Sequence, residues 1–477
     1  MTDPARTPAD AGRRTLRVLL GLVALLLLAY AVQVLAPMRM MNDSVSYFLR
    51  AHQLLLGEGL ASNHERVEHP VGYSVLLAGM IHIGMDNLRW FIALNVLCLC
   101  VSLALLASIY RRAFSLSALT SVGCVLFFLL SWTLIKHVPM LYSELLYLAI
   151  SFAILWLLVG ARPKRLWIRV GLFLLAAGLT YALIQVRTIG IAMLPALAWY
   201  IIQQFGGFAA LARCVTRSGV SRGVTLVLVL AALALAGYKL ATYDPDSGSR
   251  YVRVMAANYA QQPLQTGLQA IDYRVQEFGK LAINAPERAL RRVLPGAVWR
   301  VPVYTAGTAV LALLAVGLWS HRRRLTPVHL YLLGYLALQL PWLSFDARFW
   351  LPVMPLMLPI LLDPLRSIQL RWPKPFRAAR VVYGIGYATA GALALGLGMY
   401  YTALGRGYAE HDLWFRPELM VAYGLAEEDE FTRLDIDAIN LVRRYDLHTP
   451  GRLRLTDVPR PSPIPYEPDP ALVEREQ

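Results

Sequence analysis

RVLLGLVALLLLAYAVQVLAPMRMMNDSVSYFLRAHQLLLGEG, residues 17–59, holds two kinds of helix in succession. The run from about 18 to 36 is apolar and about as long as the roughly 20 residues that cross a bilayer. Arg13, Arg14 and Arg17 before it resemble the basic start of a signal peptide. The run ends in APMRMMND rather than at a small-residue cleavage site, so a retained first span is expected. Beyond it, Tyr47, Phe48, Ala51, Leu54 and Leu55 recur at intervals of three and four, an amphipathic helix period. Gly57 and Gly59 end that helix. The stretch therefore reads as a span followed by a helix on the membrane surface, with Asp43 at their junction.

The rest of the chain repeats the first half of this pattern. It is 57% hydrophobic and 16% charged, with a mean hydropathy of +0.49, where soluble domains carry about 25% charged residues. Spans are expected at about 16–36, 91–110, 115–134, 140–160, 168–185, 188–204, 223–243, 301–319, 327–343, 349–363 and 381–402. The expected fold class is an all-α polytopic membrane protein of about eleven transmembrane helices, with outward-facing juxtamembrane helices and a small soluble C-terminal appendage. The formal charge of +16 does not indicate a nucleic-acid partner, because the basic residues sit in short loops. Arg111-Arg112, ARPKRLWIR (161–169), Arg213/Arg217/Arg222, HRRR (321–324) and RSIQLRWPKPFRAAR (366–380) all fall on one side, as cytoplasmic loops do. The apolar stretch 71–84 is too short to span and is expected at the interface or part way in. Cys98, Cys100, Cys124 and Cys214 lie in or beside apolar runs and suggest no disulfide framework.

The catalytic module is expected over 1–402, with a first outer loop at 37–90 and a second at 244–300. The tail from 403 to 477 has 15 acids against 9 Lys/Arg, opposite in sign to the chain as a whole. It is expected on the outside as well, with a short helix at LDIDAINLVRRYDL (434–447) and an extended Pro-rich end.

Ionisable residues beside apolar segments gather on the outer face. Asp43 and Glu68-His69 lie in the first loop, and Glu144 opens the fourth span. Arg187 sits between spans five and six, Asp346 and Arg348 between spans nine and ten, and Lys136 and His137 between spans three and four. Charge at membrane depth is costly and tends to mark function. On local pattern alone, Asp43 or Ser44 serves equally well as an N-cap, Pro70 as a helix start, and each of the others as a cap or interfacial anchor. Their shared face, with both signs present, suggests an outward-facing polar cavity. An acid beside cations at the lipid boundary suits a lipid-phosphate sugar donor: Arg and His neutralise the leaving phosphate, and a carboxylate takes the proton of the attacking hydroxyl. One base suffices for inversion, whereas a covalent route needs a second, closely placed carboxylate.

NDSVSYFLRAHQLLLGEG followed by EHPVGYSVLLAG resembles the first outer loop of the GT-C glycosyltransferases. The relevant branch includes the protein O-mannosyltransferases, the lipid A aminoarabinose transferase and bacterial lipopolysaccharide sugar transferases. YSELLYLAISFAILWLL (142–158), IQVRTIGIAMLPAL (184–197) and FDARFWLPVMPLMLPILL (345–362) follow in the same order. The resemblance runs from about 16 to 365. It implies Asp43 as catalytic base, and His69, Arg348 and Arg187 toward the donor phosphate. Glu68 and Glu144 match acids of those motifs and are expected at an acceptor or secondary site, while a structural role serves Glu144 and Arg187 equally well. Arg250 and Arg253 lie in the loop 244–300, which no motif covers, and are expected at the same acceptor or secondary site. His69 replaces a family Lys, making its phosphate contact pH-dependent.

Glu68 and His69 are adjacent and do not chelate one ion together without further ligands; a divalent metal stays open, and no other cofactor is indicated. The partners implied are a polyprenyl-phosphate sugar donor, a glycolipid, polysaccharide or protein acceptor, and the lipid bilayer, in a bacterial inner membrane with the site facing the periplasm. The loop 244–300 is expected either to cover the site or cradle the acceptor, or to be a passive helix pair. Two other classes remain: a lipid or solute transporter, disfavoured because no internal repeat is visible, and a non-catalytic envelope-assembly protein on the same fold.

Overall fold

The computed structural model describes residues 8–35, 42–57, 70–160, 165–204, 250–294 and 296–403. These residues are mostly helical, with short 3-10 turns, non-helical connectors and no β-strand among them. The first helices are α1 (Pro8–Val32), α2 (Asn42–Leu56), α3 (Gly72–His82), α4 (Leu88–Ala113), α5 (Ala118–Leu129) and α6 (Trp132–His137). Next come α7 (Glu144–Gly160), α8 (Leu166–Val186) and α9 (Leu194–Gln204). After the stretch 205–249 follow α10 (Arg250–Gln261), α11 (Pro263–Ile283), α12 (Glu287–Val293), α13 (Arg300–His321), α14 (Pro327–Gln339), α15 (Met354–Arg371) and α16 (Pro373–Ala403).

Among the described residues, five segments, Gly12–Leu35, Arg89–Ala113, Trp167–Val186, Arg300–His321 and Pro373–Tyr400, are long and apolar enough to cross a membrane. The protein is an all-α polytopic membrane protein. α1 leaves Leu20, Leu25 and Leu28 on its outer surface, as a lipid-facing helix does. The span expected at 223–243 and the tail from 404 onward lie outside the described residues. α3 has 11 residues, which at 1.5 Å each give about 16 Å, half a bilayer core. It lies against the far end of α8, where a Cβ on Gly72 would come within 2.7 Å of the Gln185 carbonyl.

Helix direction separates two ends of the bundle. α4 ends on Arg111 and Arg112, and Gly160, closing α7, lies against the Arg112 guanidinium. His321, closing α13, contacts Asp363 at 2.8 Å and stacks edge-on to Phe114. The start of α7, the end of α8 and the turn before α15 therefore share the opposite end. There α11 is locked to α13. A Cβ on Gly279 would sit 2.0 Å from the Val303 carbonyl oxygen, and one on Gly307 would sit 1.9 Å from that of Val275. Only glycine allows the two backbones this approach.

The third expected span, 115–134, is interrupted. α5 stops at Leu129 and α6 begins at Trp132, with Ser131 extended at φ −68°, ψ 125°. A broken helix frees backbone groups that lipid cannot satisfy. Asn284 satisfies them, being buried and left-handed at φ 61°, at the C-terminus of α11. Its Nδ2 donates to Leu130 O and to Tyr387 O, both at 2.9 Å, and its Oδ1 accepts from Trp132 N at 2.8 Å. Asn is the non-glycine residue that best tolerates this backbone region. Asn284→Ala removes three hydrogen bonds of about 1 kcal/mol each and leaves buried groups unpaired. A loss of about 3 kcal/mol is expected, measured as a lowered thermal unfolding midpoint of the full chain in detergent.

Candidate active site

Two connectors and one surface helix converge at the end of the bundle away from the basic loops. The connector 138–143 joins α6 to α7. Asn95 of α4 donates to Val138 O at 3.0 Å and to Met140 O at 2.6 Å. From α2, the Ser44 hydroxyl donates to Leu141 O at 3.0 Å, and Tyr47 Oη meets Ser143 Oγ at 3.1 Å. The amphipathic pattern of α2 explains this docking: Val45, Phe48 and Ala51 are buried completely, so the helix is fixed in rotation. The α2 helix ends at Gly57 with φ +79°. Asp43, in its first turn, points into the same space.

The second connector, 340–353, carries Asp346 and Arg348. Asp346 is extended and accepts from Arg348 N at 2.9 Å, capping the 3-10 turn Ala347–Trp350. The Arg348 guanidinium donates from Nη2 to Asp43 Oδ2 at 2.6 Å. Its Nε lies 2.7 Å from Asp346 Oδ2 and 3.7 Å from Glu144 Oε1. Its Cζ stands 4.6 Å from the centroid of the Tyr142 ring. Glu144 in turn pairs with Arg187, which follows α8 in an extended conformation. Burial works against the Arg348 charge, yet Asp43 and Asp346 outweigh it and raise its pKa well above the ordinary value. Arg187 is likewise held charged by Glu144 against its burial.

Among the described residues, three carboxylates thus face two guanidiniums. Asp43 is 24% exposed and Asp346 37%, while Glu144 is 2% exposed. Asp43 and Asp346 form the accessible rim and Glu144 the buried floor. Burial pushes the Tyr47 phenol up to about 12, against the pull of Arg187, so it remains a neutral hydroxyl beside the acids.

No protein-family model matches the chain, and no curated protein matches it at a significant level. Among solved structures, the chain is similar to a crystal structure of ArnT from Cupriavidus metallidurans bound to undecaprenyl phosphate. The identity is 13% and the TM-score 0.44, over 89% of this chain and 84% of that one. A likeness at that level leaves the function to the site's own geometry.

Of the residues singled out in the sequence, Asp43, Glu144, Arg187 and Arg348 meet in one cluster with Asp346. Glu68 and His69 lie outside the described residues. Arg250 and Arg253 fall in α10, whose first residues are described in backbone only. Among the described residues no group of three or more His, Cys, Asp or Glu is arranged to hold a metal. His137, an ionisable residue between the third and fourth expected spans, is buried. Burial, with Lys136 adding, pushes its imidazole down to about 4, and its Nδ1–H donates to Thr133 O at 2.6 Å.

Sequence reading missed Arg274, Glu277 and Lys280 of α11, all buried. Arg274 donates to Gln339 O at 3.3 Å, Trp342 O at 3.2 Å and Ser344 O at 2.7 Å. Glu277 accepts from Asp346 N and from Trp350 Nε1, both at 2.7 Å. Their spacing, RVQEFGK, places three charged residues at i, i+3 and i+6 on one helix face. That periodicity was the available signal.

Arg187→Met strands Glu144 as a buried, under-compensated charge. A loss of about 3–5 kcal/mol is expected, most of it recovered in the Arg187→Met/Glu144→Gln pair, as read by thermal unfolding in detergent. His137 has the opposite kind of test. Its unfolded pKa of 6.5 exceeds the folded value of about 4, so the unfolded chain binds more protons between them. Stability should fall as pH drops through that window, by up to about 1.4 kcal/mol per unit. Glu277, raised by burial from 4.5 to about 7, slopes the other way over its own window. The comparison of His137→Asn with the parent chain isolates the histidine, and its melting curve should lose that acid sensitivity.

Proposed function

We propose that the chain is an integral-membrane glycosyltransferase that moves a sugar from a polyprenyl-phosphate-linked donor to an acceptor outside the membrane, with Asp43 as base. The observation that carries this reading is the Asp43–Arg348 contact. An acid of the first surface helix and a cation 305 residues later meet at 2.6 Å on an accessible rim. The four sequence motifs that resemble the GT-C glycosyltransferases supply Asp43, Glu144, Arg187 and Arg348 of this one cluster.

A phosphate at the rim competes with Asp43 and Asp346 for the Arg348 guanidinium. Arg187 is committed to the buried Glu144 and stays as fixed positive charge. Arg348, shared among Asp43, Asp346 and Glu144, turns to the donor phosphate. Asp43 loses its strongest partner and becomes a better base. The acceptor oxygen then attacks the anomeric carbon as its proton passes to Asp43. The bond from that carbon to the phosphate oxygen breaks, and the electron pair leaves on the phosphate facing Arg348. The configuration inverts. His69 is a further phosphate contact in this scheme, and Glu68, Arg250 and Arg253 stand toward the acceptor. The donor sits with its tail in the bilayer and its phosphate at headgroup level; the basic loops at the other end of the bundle support a reaction on the periplasmic face of a bacterial inner membrane.

Asp43→Asn in membranes loaded with labelled polyprenyl-phosphate sugar should lower transfer by about 10²–10⁴-fold, the usual worth of a general base, with carrier binding retained. Arg348→Ala should raise KM for the donor. Undiminished transfer by Asp43→Asn, or labelling of position 43 from the cytosolic side alone, would overturn the assignment. Movement of lipid across vesicles with no carrier consumed would favour a transporter.

A further inference from the structure

We propose that Arg274 and Glu277 of α11 are positioning residues that set where the Arg348 guanidinium stands; the consequence for the donor rests on the phosphate role given to Arg348 above. The connector that carries Arg348 has few backbone bonds of its own between Gln339 and Asp346, and α10 and α11 supply them. Tyr259 Oη donates to Pro341 O at 3.0 Å. Arg274 then takes the carbonyls of 339, 342 and 344. Glu277 accepts from the amide of Asp346, two residues before Arg348, and from the indole of Trp350, two residues after it. Both ends of the 3-10 turn that presents Arg348 are therefore held by one carboxylate.

That carboxylate is itself fixed. Arg274 Nη1 lies 3.0 Å from Glu277 Oε2, and both residues are at most 1% exposed. Lys280, one turn further, lies 4.0 Å from the centroid of the Phe345 ring in the same connector and pairs with Glu287 at 2.5 Å. The helix beneath cannot drift, because Gly279 and Gly307 bring its backbone against α13. Three charged side chains at i, i+3 and i+6 thus form a clamp from an anchored helix to the connector. Burying such charges is costly, and none of the three belongs to the Asp43 cluster. A passive extracytoplasmic helix pair has no need of them.

The test uses the full chain in detergent or nanodiscs, with undecaprenyl phosphate as the probe. Glu277→Gln keeps the shape but sets an amide N–H against one of the two donors. Arg274→Lys keeps the charge but not the fork that reaches three carbonyls, and serves should Glu277→Gln fail to insert. Two measurements are made. Hydrogen–deuterium exchange in 342–350 should rise about tenfold or more, with α4 unchanged, since local opening is read region by region. Affinity for undecaprenyl phosphate should fall about tenfold in the parent chain and not at all in an Arg348→Ala background, the non-additivity expected of residues acting through one another. Unchanged exchange in 342–350, or an equal loss of affinity with and without Arg348, would overturn the proposal. A parent chain with no affinity for undecaprenyl phosphate would instead overturn the phosphate role of Arg348, and the exchange measurement alone would decide the clamp.

Discussion

The constraint on which the site depends is that Arg348 is shared. One guanidinium reaches carboxylates from three separate elements: Asp43 of α2, Glu144 of α7 and Asp346 of its own connector. An acid alone near lipid pays a desolvation cost. Around one delocalised cation, with Arg187 behind, the three stand near one another. The arrangement is stable at rest and sensitive to any new anion, because an anion competes for the same five N–H groups.

Much of the fold was legible because apolar runs of bilayer length and one-sided basic loops are strong signals, and both depend on composition more than on tertiary context. The departures are informative. The run 115–134 has the composition of a span but is split at Ser131, because an amide from α11 replaces the missing helix bonds. Nothing within the run announces a partner more than 150 residues away. The loop 244–300 was read as lid, cradle or passive pair. Its second helix buries Arg274, Glu277 and Lys280, residue types that an amphipathic surface helix usually turns to solvent.

The site was legible where charge stood out against hydrocarbon. Asp43, Glu144, Arg187 and Arg348 each interrupt or border an apolar run, so each drew notice singly, and their convergence is what the folded chain adds. Arg274, Glu277 and Lys280 escaped because α11 is polar along much of its length and period alone does not say which face is covered. For His137 the residue type marked an ionisable group, while the burial that lowers its pKa is invisible in a local pattern.

The Asn284 contact has a consequence for biogenesis. A chain entering a bilayer from its N-terminus presents Leu130 and Trp132 long before the amide that completes them has been synthesised, and Tyr387 follows more than a hundred residues later still. Until then the interrupted segment has two backbone groups with no lasting mate. The early helices can insert one by one, but this joint closes only when α11 and α16 have arrived. Its closure is a late, tertiary event that distinguishes a finished molecule from a merely inserted one.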